Sequence, residues 1–285
     1  MTSDRYLTLA EDRAKAVHLA QISNRTDTNG LARAYYEMTA DVDARRRARF
    51  LAHITCAEQR GEALAALLPR QGRVLEVGCG SGGLLAAAAR LGIDIHGVDI
   101  ALRWLVVARR RLIERHREVP LIGASAEQLP WPDGSFDAVV ADSVLEHLSD
   151  PRAALMEWKR ILMPGGRLIV WSPNRYSLAT DPHVQLWGLG WLPSSWASAY
   201  VRLRRGCEWS VRPLSARAAR RLAHASGLVR VEIESPPVRE LLKSARSRAA
   251  RLMMSAYGIA RGTRAGASVL RNFGPLWQLS ALKGE

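Results

Sequence analysis

Between residues 72 and 173, short apolar runs alternate with longer stretches whose apolar positions recur at helical spacing. The pattern predicts strands at Val74–Val77, Ile93–Val98, Leu121–Ile122 onward, Phe136–Ala141 and Arg167–Trp171. Helices fall between them at Gly83–Leu91, about Leu102–Arg117 and Pro151–Leu162, the last ended by Pro164-Gly165-Gly166. Such alternation is the signature of a parallel sheet covered by helices on both faces, a doubly wound α/β fold. Residues 1–70 read as helical and form a cap before the first strand. Further on, Ser215–Ser226 reads as a helix, Leu228–Ile233 as a strand and Pro275–Leu282 as the last strand.

The chemistry concentrates where the first strand ends. Gly78, Gly80 and Gly82 remove side chains at alternate positions and a helix starts at about Gly83, so the backbone turns sharply and its free N–H groups face whatever approaches. Gly78, Gly80 and Gly83 also satisfy the dinucleotide pattern Gly-x-Gly-x-x-Gly, and Asp99 follows near the ~20-residue spacing of a ribose-binding acid. The loop alone therefore fits both a nicotinamide cofactor and S-adenosylmethionine. Glu76 pulls towards the second, because an acid there faces a cationic amino group well and repels a pyrophosphate. Ile100 is placed to pack on an adenine face, and Ser125, Ala126 and Glu127 lie just past the third strand. Asp142 and Ser143 end the fourth strand, and ligands of open α/β sheets bind outside such carboxyl ends.

Composition narrows the setting. A chain of 285 residues with 48% hydrophobic content has room for one α/β domain with additions. No secretory or membrane-spanning run is present, so a cytoplasmic location is expected. Cys56, Cys79 and Cys207 are few, odd in number and far apart, which argues against a disulfide framework or a zinc site, and no metal is expected. The formal charge of +14 favours phosphate-bearing partners. Arg45, Arg46, Arg47 and Arg49 read as a solvated helix face, and Tyr35 and Tyr36 as core rather than a ligand lid.

Taken together the chain resembles the class I S-adenosylmethionine-dependent methyltransferases, in particular the small-molecule group acting on quinones, sugars and secondary metabolites. The resemblance rests on Val74-Leu-Glu-Val-Gly-Cys-Gly-Ser-Gly82, Gly97-Val-Asp99, Ala126-Glu-Gln-Leu-Pro130 with Ser135-Phe-Asp137, Val144-Leu-Glu-His-Leu148, and Leu162-Met-Pro-Gly-Gly-Arg-Leu168. It covers about residues 72–173. It implies a Rossmann-like, seven-stranded, mostly parallel sheet whose final strand is antiparallel, within residues 71–285. Residues 174–213 and 236–270 are then insertions, a substrate lid and a basic helical segment. By the same resemblance Glu76, Gly78, Cys79 and Gly80 hold the methionine part, Asp99 the ribose hydroxyls, Ile100 and Ala126 the adenine, and Asp142 or Ser143 the floor beneath the sulfonium. Many relatives carry Asp where this chain has Ser125, a weaker acceptor for the adenine amine that Glu127 can supplement.

A hydroxyl acceptor needs a base within hydrogen-bond reach. His147 is the first candidate, Glu146 the second, and His183 follows from the insertion after strand five, where Asn174 and Arg175 also stand. Helix-start packing is the bland role for the Glu146-His147 pair. Trp187, Trp191 and Trp196 offer broad apolar surface for an acceptor lid or a membrane interface. Arg239, Lys243, Arg246, Arg248, Arg251, Arg261 and Arg264, interleaved with Leu241, Leu242, Leu252, Met253 and Met254, allow peripheral contact with anionic lipid. The acceptor expected is a small or lipid-linked metabolite such as a sugar or polyketide, in glycan or secondary-metabolite biosynthesis. The alternatives are an RNA methyltransferase, against which the absence of an RNA-binding module argues, and a non-catalytic scaffold.

Overall fold

In the computed structural model the chain is described over residues 7–39, 44–237 and 248–285, with the side chains of 44–46 and 248–254 left aside. Residues 5–130 and 131–285 form two compact units. The strands make one seven-stranded sheet in the order β3-β2-β1-β4-β5-β7-β6. They are β1 Arg73–Val77, β2 Asp94–Asp99, β3 Leu121–Gly123, β4 Phe136–Asp142, β5 Leu162–Pro173, β6 Leu228–Glu234 and β7 Leu276–Lys283. The first of the two units holds β1 to β3, and the second holds β4 to β7.

In the unit 5–130, helices α1 (Leu9–Ile22), α2 (Thr28–Glu37), α3 (Ala44–Thr55) and α4 (Ala57–Ala65) precede β1. The first begins at a capping box, Thr8 with Glu11, which satisfies two N–H groups that a helix end leaves over. Asp27 caps the second by accepting from the Gly30 N–H at 2.6 Å. Tyr35 and Tyr36 are buried with Leu19, Leu31, Ile54 and Val107, so both tyrosines are core, the role expected of them over a ligand lid. The strands β1, β2 and β3 pair in parallel. Helix α5 (Gly83–Arg90) crosses α4 where both lack a side chain. A Cβ on Gly61 would stand 2.6 Å from the Gly83 carbonyl oxygen, and one on Gly83 would stand 2.5 Å from the Ala57 carbonyl. The third glycine of the loop pattern thus serves helix packing.

In the unit 131–285, β4 and β5 are parallel, whereas β7 runs antiparallel to both β5 and β6. Helix α7 (Pro151–Ile161) starts as its sequence directs, with Asp150 accepting from the N–H groups of Arg152 and Ala153. The predicted stop at Pro164-Gly165-Gly166 lies inside the span of β5 instead of before it. Phe136 pairs with Leu162 and Ala138 with Arg167, so residues 163–166 loop out of the ladder between those two pairings. Trp158, Trp171 and Trp277 are fully buried. The indole N–H of Trp171 donates to Gln278 Oε1 at 2.8 Å and that of Trp277 to the Leu214 carbonyl at 2.9 Å, which satisfies those two buried donors.

Among its described residues this unit also holds α8 (Ser194–Arg205) in the first insertion, α9 (Ala216–Ala225), and α10 (Arg248–Arg261) and α11 (Arg264–Phe273) before β7. The first insertion has its own small core of Val184, Leu186, Leu189, Ala197 and Val201. Of the basic stretch predicted at 236–264, Arg239, Leu241, Leu242, Lys243 and Arg246 lie outside the described residues. So do the side chains of Arg248, Arg251, Leu252, Met253 and Met254, and those of Arg45 and Arg46. Among the described residues no helix is long and apolar enough to cross a membrane.

The α4–α5 crossing gives a stability prediction. Gly61→Ala forces a methyl into the Gly83 backbone, an overpacking cost of about 1–3 kcal/mol, against at most ~1 kcal/mol returned by better helix propensity. Urea unfolding should therefore show a net loss of stability; a gain would mean that the helices separate freely.

Candidate active site

The glycine loop is held by one carboxylate. Asp99, the last residue of β2, accepts from the Gly80 N–H through Oδ2 and from the Ala101 N–H through Oδ1, each at 2.8 Å. The loop is also tied to β2 from its start, since the N–H groups of Gly78 and Cys79 donate to the Val98 carbonyl at 2.8 and 3.0 Å. Gly78, Gly80 and Gly82 all have positive φ, at 70°, 48° and 74°, a region that L side chains adopt at a cost. Burial pushes the Asp99 carboxyl up, and the two N–H bonds oppose that shift.

Glu76 is buried at the end of β1. It and Asp99 stand near enough to the buried Cys79 thiol that, after burial itself, their charges raise its pKa well above the ordinary value. The thiol therefore stays protonated and acts as a small apolar filler. Two carboxylates thus flank one glycine turn. Ile100, beside Asp99, is 63% exposed, an apolar side chain left uncovered at the strand end. Ser125 Oγ accepts from the Glu127 N–H at 3.2 Å, so the Ser-Ala-Glu segment is a tight turn just past β3.

Two supports of this loop escaped the sequence pattern. Arg111 of helix α6 (Leu102–Glu114) is a buried guanidinium whose Nε donates to the Ser81 carbonyl at 2.7 Å and whose Nη2 donates to the Ile54 carbonyl at 2.7 Å. Its Nη1 reaches Glu58 Oε1 at 3.0 Å. Burial pushes the Glu58 carboxyl up, but hydrogen bonds from Arg115 and Arg111 hold it below its ordinary value. Asp12 of α1, also buried, accepts from the Leu102 N–H at 2.6 Å and pairs with Arg103, so the cap supplies the N-terminal cap that α6 lacks locally. Arg111 looked like one more charge on a basic helix. Its neighbours at 54, 58 and 81 are remote in sequence, so periodicity carried no signal for them.

In the unit 131–285, β4 ends at Asp142 and the chain turns through Ser143, a non-glycine residue at φ 57°. The Ser143 hydroxyl donates to Asp142 Oδ1 at 3.0 Å and its N–H to the Trp171 carbonyl at 2.8 Å. A single 3-10 turn, Leu145–His147, follows. Glu146 is fully buried, and its Oε2 accepts from the Ser172 hydroxyl at 3.0 Å. Its Oε1 lies 4.0 Å from His147 Nε2 and 3.9 Å from His183 Nε2. The two imidazoles meet edge to face, centroids 5.0 Å apart.

The three residues proposed from sequence for acceptor chemistry are therefore together. Asn174 and Arg175 are not with them. Asn174 Nδ2 donates to the carbonyls of Arg271 and Asn272 and so ties the start of the insertion to the end of α11, whereas Arg175 Nε donates to the Gly190 carbonyl at 3.2 Å within the insertion. Burial, and secondarily the neighbouring His183, lower the His147 pKa to about 4. An imidazole with that pKa is neutral at physiological pH and is a weak proton acceptor.

Residues 75–170 match the family model of a methyltransferase domain. The chain is 38% identical over 133 residues to a ubiquinone biosynthesis O-methyltransferase of Cereibacter sphaeroides, covering 46% of this chain and 54% of that protein. It spans about half the length of the curated relatives it matches. Among solved structures, phosphoethanolamine N-methyltransferase 2 of Haemonchus contortus, in complex with S-adenosyl-L-methionine, shares the fold at 22% identity, with 79% of this chain and 52% of that chain covered and a TM-score of 0.53. The [4+2]-cyclase SpnF shares it at 24% identity, with 79% and 80% covered and a TM-score of 0.51.

Residues 75–170 are those of a methyltransferase domain, and the chain is similar to methyltransferases that take S-adenosylmethionine as cofactor. The glycine turn fits that cofactor: Gly80 has no side-chain position crowded by its neighbours, two carboxylates flank it, and an exposed isoleucine adjoins the second.

The depressed His147 pKa has a stability consequence. In the unfolded chain this imidazole takes its proton near pH ~6.5, whereas the folded one waits until about 4, so stability falls as pH drops between those values. The melting-temperature advantage of the wild type over His147→Asn should shrink from about pH 7.5 to about pH 5. A constant difference would show that His147 is not held neutral.

Proposed function

We propose that the chain transfers a methyl group to a hydroxyl oxygen of a small or lipid-linked metabolite. The observation that carries this reading is the convergence of Glu146, His147 and His183 on one point, from the end of β4 and from the insertion after β5. The names of the similar O-methyltransferases favour a quinone precursor as acceptor over a sugar or polyketide. Bound S-adenosylmethionine supplies an activated methyl on a sulfonium. Glu76, Gly78, Cys79 and Gly80 hold its methionine part, Asp99 the ribose hydroxyls, and Ile100, Ser125, Ala126 and Glu127 the adenine. Asp142 and Ser143 border the reacting end. The acceptor oxygen forms its bond to carbon as the sulfur–carbon bond breaks, and the hydroxyl proton leaves by way of the Glu146, His147 and His183 cluster to water. The protein's main contribution is alignment, worth up to about 7–11 kcal/mol when geometry is ideal. Residues 174–213 act as the lid over the acceptor.

The outer surface of that lid supports peripheral membrane contact. Trp187 is 60% exposed, and in helix α8 Trp196 and Leu203 are 68% and 84% exposed, with Arg202, Arg204 and Arg205 in the last turn. Apolar rings beside cations suit an anionic interface.

Calorimetry should show binding of S-adenosylmethionine and none of NADH, with Asp99→Ala at least about tenfold weaker because two charge-assisted hydrogen bonds and the ribose contact are lost. In cells lacking the protein, mass spectrometry should find a metabolite lighter by one CH2. Tight NADH binding, or no such metabolite, would overturn the reading. For the membrane, anionic vesicles at low salt should carry the protein upward on flotation, and Trp196→Ser with Leu203→Ser should leave it below; wild type that stays in solution removes the interface.

A further inference from the structure

The three side chains that meet beyond β4 form a donor set as well as a proton path. Glu146 Oε1, His147 Nε2 and His183 Nε2 are placed so that the ligand atoms of the three residues lie within 4.8 Å of one another, with the carboxylate oxygen 4.0 and 3.9 Å from the two nitrogens. An ion with bonds of about 2.1 Å separates its donors by roughly 3–4 Å, so a shift of less than about 1 Å closes the set. We propose that this chain binds one divalent transition-metal ion of the Zn2+ or Mn2+ kind at Glu146, His147 and His183. The inference rests on the methyltransferase reading only for the ion's use, not for its binding.

Three features of the fold favour an ion here. First, the donor chemistry is two imidazoles and one carboxylate, which suits borderline metals and leaves coordination positions open for other oxygens. Second, the donors are supported from behind. The Ser172 hydroxyl donates to Glu146 Oε2 at 3.0 Å, turning Oε1 towards the histidines, and the Arg212 N–H donates to the Glu146 carbonyl at 2.8 Å. His183 is fixed by Asp181, whose Oδ1 accepts from the N–H groups of His183 and Val184 at 2.8 and 3.0 Å. The serine contact orients the Glu146 carboxylate, and the Asp181 contacts, made to backbone N–H groups, fix the turn that carries His183. Third, the donors join two separate segments, the turn after β4 and the insertion, so an ion would pin the insertion to the sheet. Held there, it would accept an acceptor hydroxyl in an open position and ease loss of its proton, the proton passing to water. The expectation that no metal binds rests on the cysteines, and this site departs from it because its donors are a carboxylate and two imidazoles instead.

The test uses the full chain without a histidine tag, stripped with EDTA and dialysed. Titration with ZnCl2 should show one equivalent bound, and CoCl2 should give visible absorption bands of a nitrogen- and oxygen-ligated ion. His183→Ala should weaken Zn2+ binding at least about tenfold, as should Glu146→Gln. Because Glu146 is buried and its variant can fail to fold, His183→Ala, in the insertion, carries the decision, with circular dichroism confirming its fold. No stoichiometric Zn2+ binding, or unchanged affinity in His183→Ala, overturns the site. S-adenosylmethionine titrated into the same samples separates the two claims. Cofactor binding without Zn2+ binding removes only the ion, whereas Zn2+ binding without cofactor binding removes the methyltransferase reading and leaves the site standing.

Discussion

Most of the unit 5–130 is arranged so that one carboxylate can hold one loop. Asp99 receives the Gly80 and Ala101 N–H groups at once, which joins the glycine turn, the end of β2 and the approach to α6 at a single residue. Hydrogen bonds to a charged acceptor contribute about 1.5–3 kcal/mol each, so this clasp outweighs the strain of the turn it closes. It works because Gly80 adopts φ 48°, a backbone conformation that L side chains take up only at a cost. Arg111 fixes the other side of the turn through Ser81, and Asp12 caps α6 from the N-terminal helix. The helical cap thus supports the glycine turn, since a residue from α1 holds the helix that holds the loop.

The unit 131–285 solves a different problem, which is to bring a residue of a long insertion to the end of a strand. The insertion has its own apolar core and is tied down by Asn174 and braced from within by Arg175, whose side chains spend their donors on backbone carbonyls. From this segment the His183 side chain meets Glu146 and His147, and the Arg212 N–H donates to the Glu146 carbonyl. A fully buried carboxylate is costly unless hydrogen-bonded or paired, and here a serine hydroxyl and two imidazoles surround it. The arrangement is expensive to build by chance packing, which is why the cluster reads as functional.

The fold by itself would not have carried that conclusion. A [4+2]-cyclase and an N-methyltransferase share this architecture with the present chain at similar levels of resemblance, so the sheet is a scaffold on which several reactions are mounted. The features on which a reading of this chain rests are local: two acids about a side-chain-free turn in one unit, and a carboxylate with two histidines in the other.

The strands, the turn and the two acids were legible along the chain because each depends on neighbours within a few residues. Alternating apolar runs, glycines at fixed offsets and an acid closing the second strand are one-dimensional patterns. Asp150-Pro151 as a helix start and Tyr35-Tyr36 as core belong to the same kind. The sequence placed Pro164-Gly165-Gly166 as a helix stop, whereas the pairing of β4 with β5 makes it an excursion within a strand. Only the tertiary structure assigned Arg111 to the loop, Asp12 to α6, Asn174 to the carbonyls of residues 271 and 272, and His183 to Glu146. Those partners lie far apart along the chain, and a burial site that forms only after folding leaves no periodicity to read beforehand.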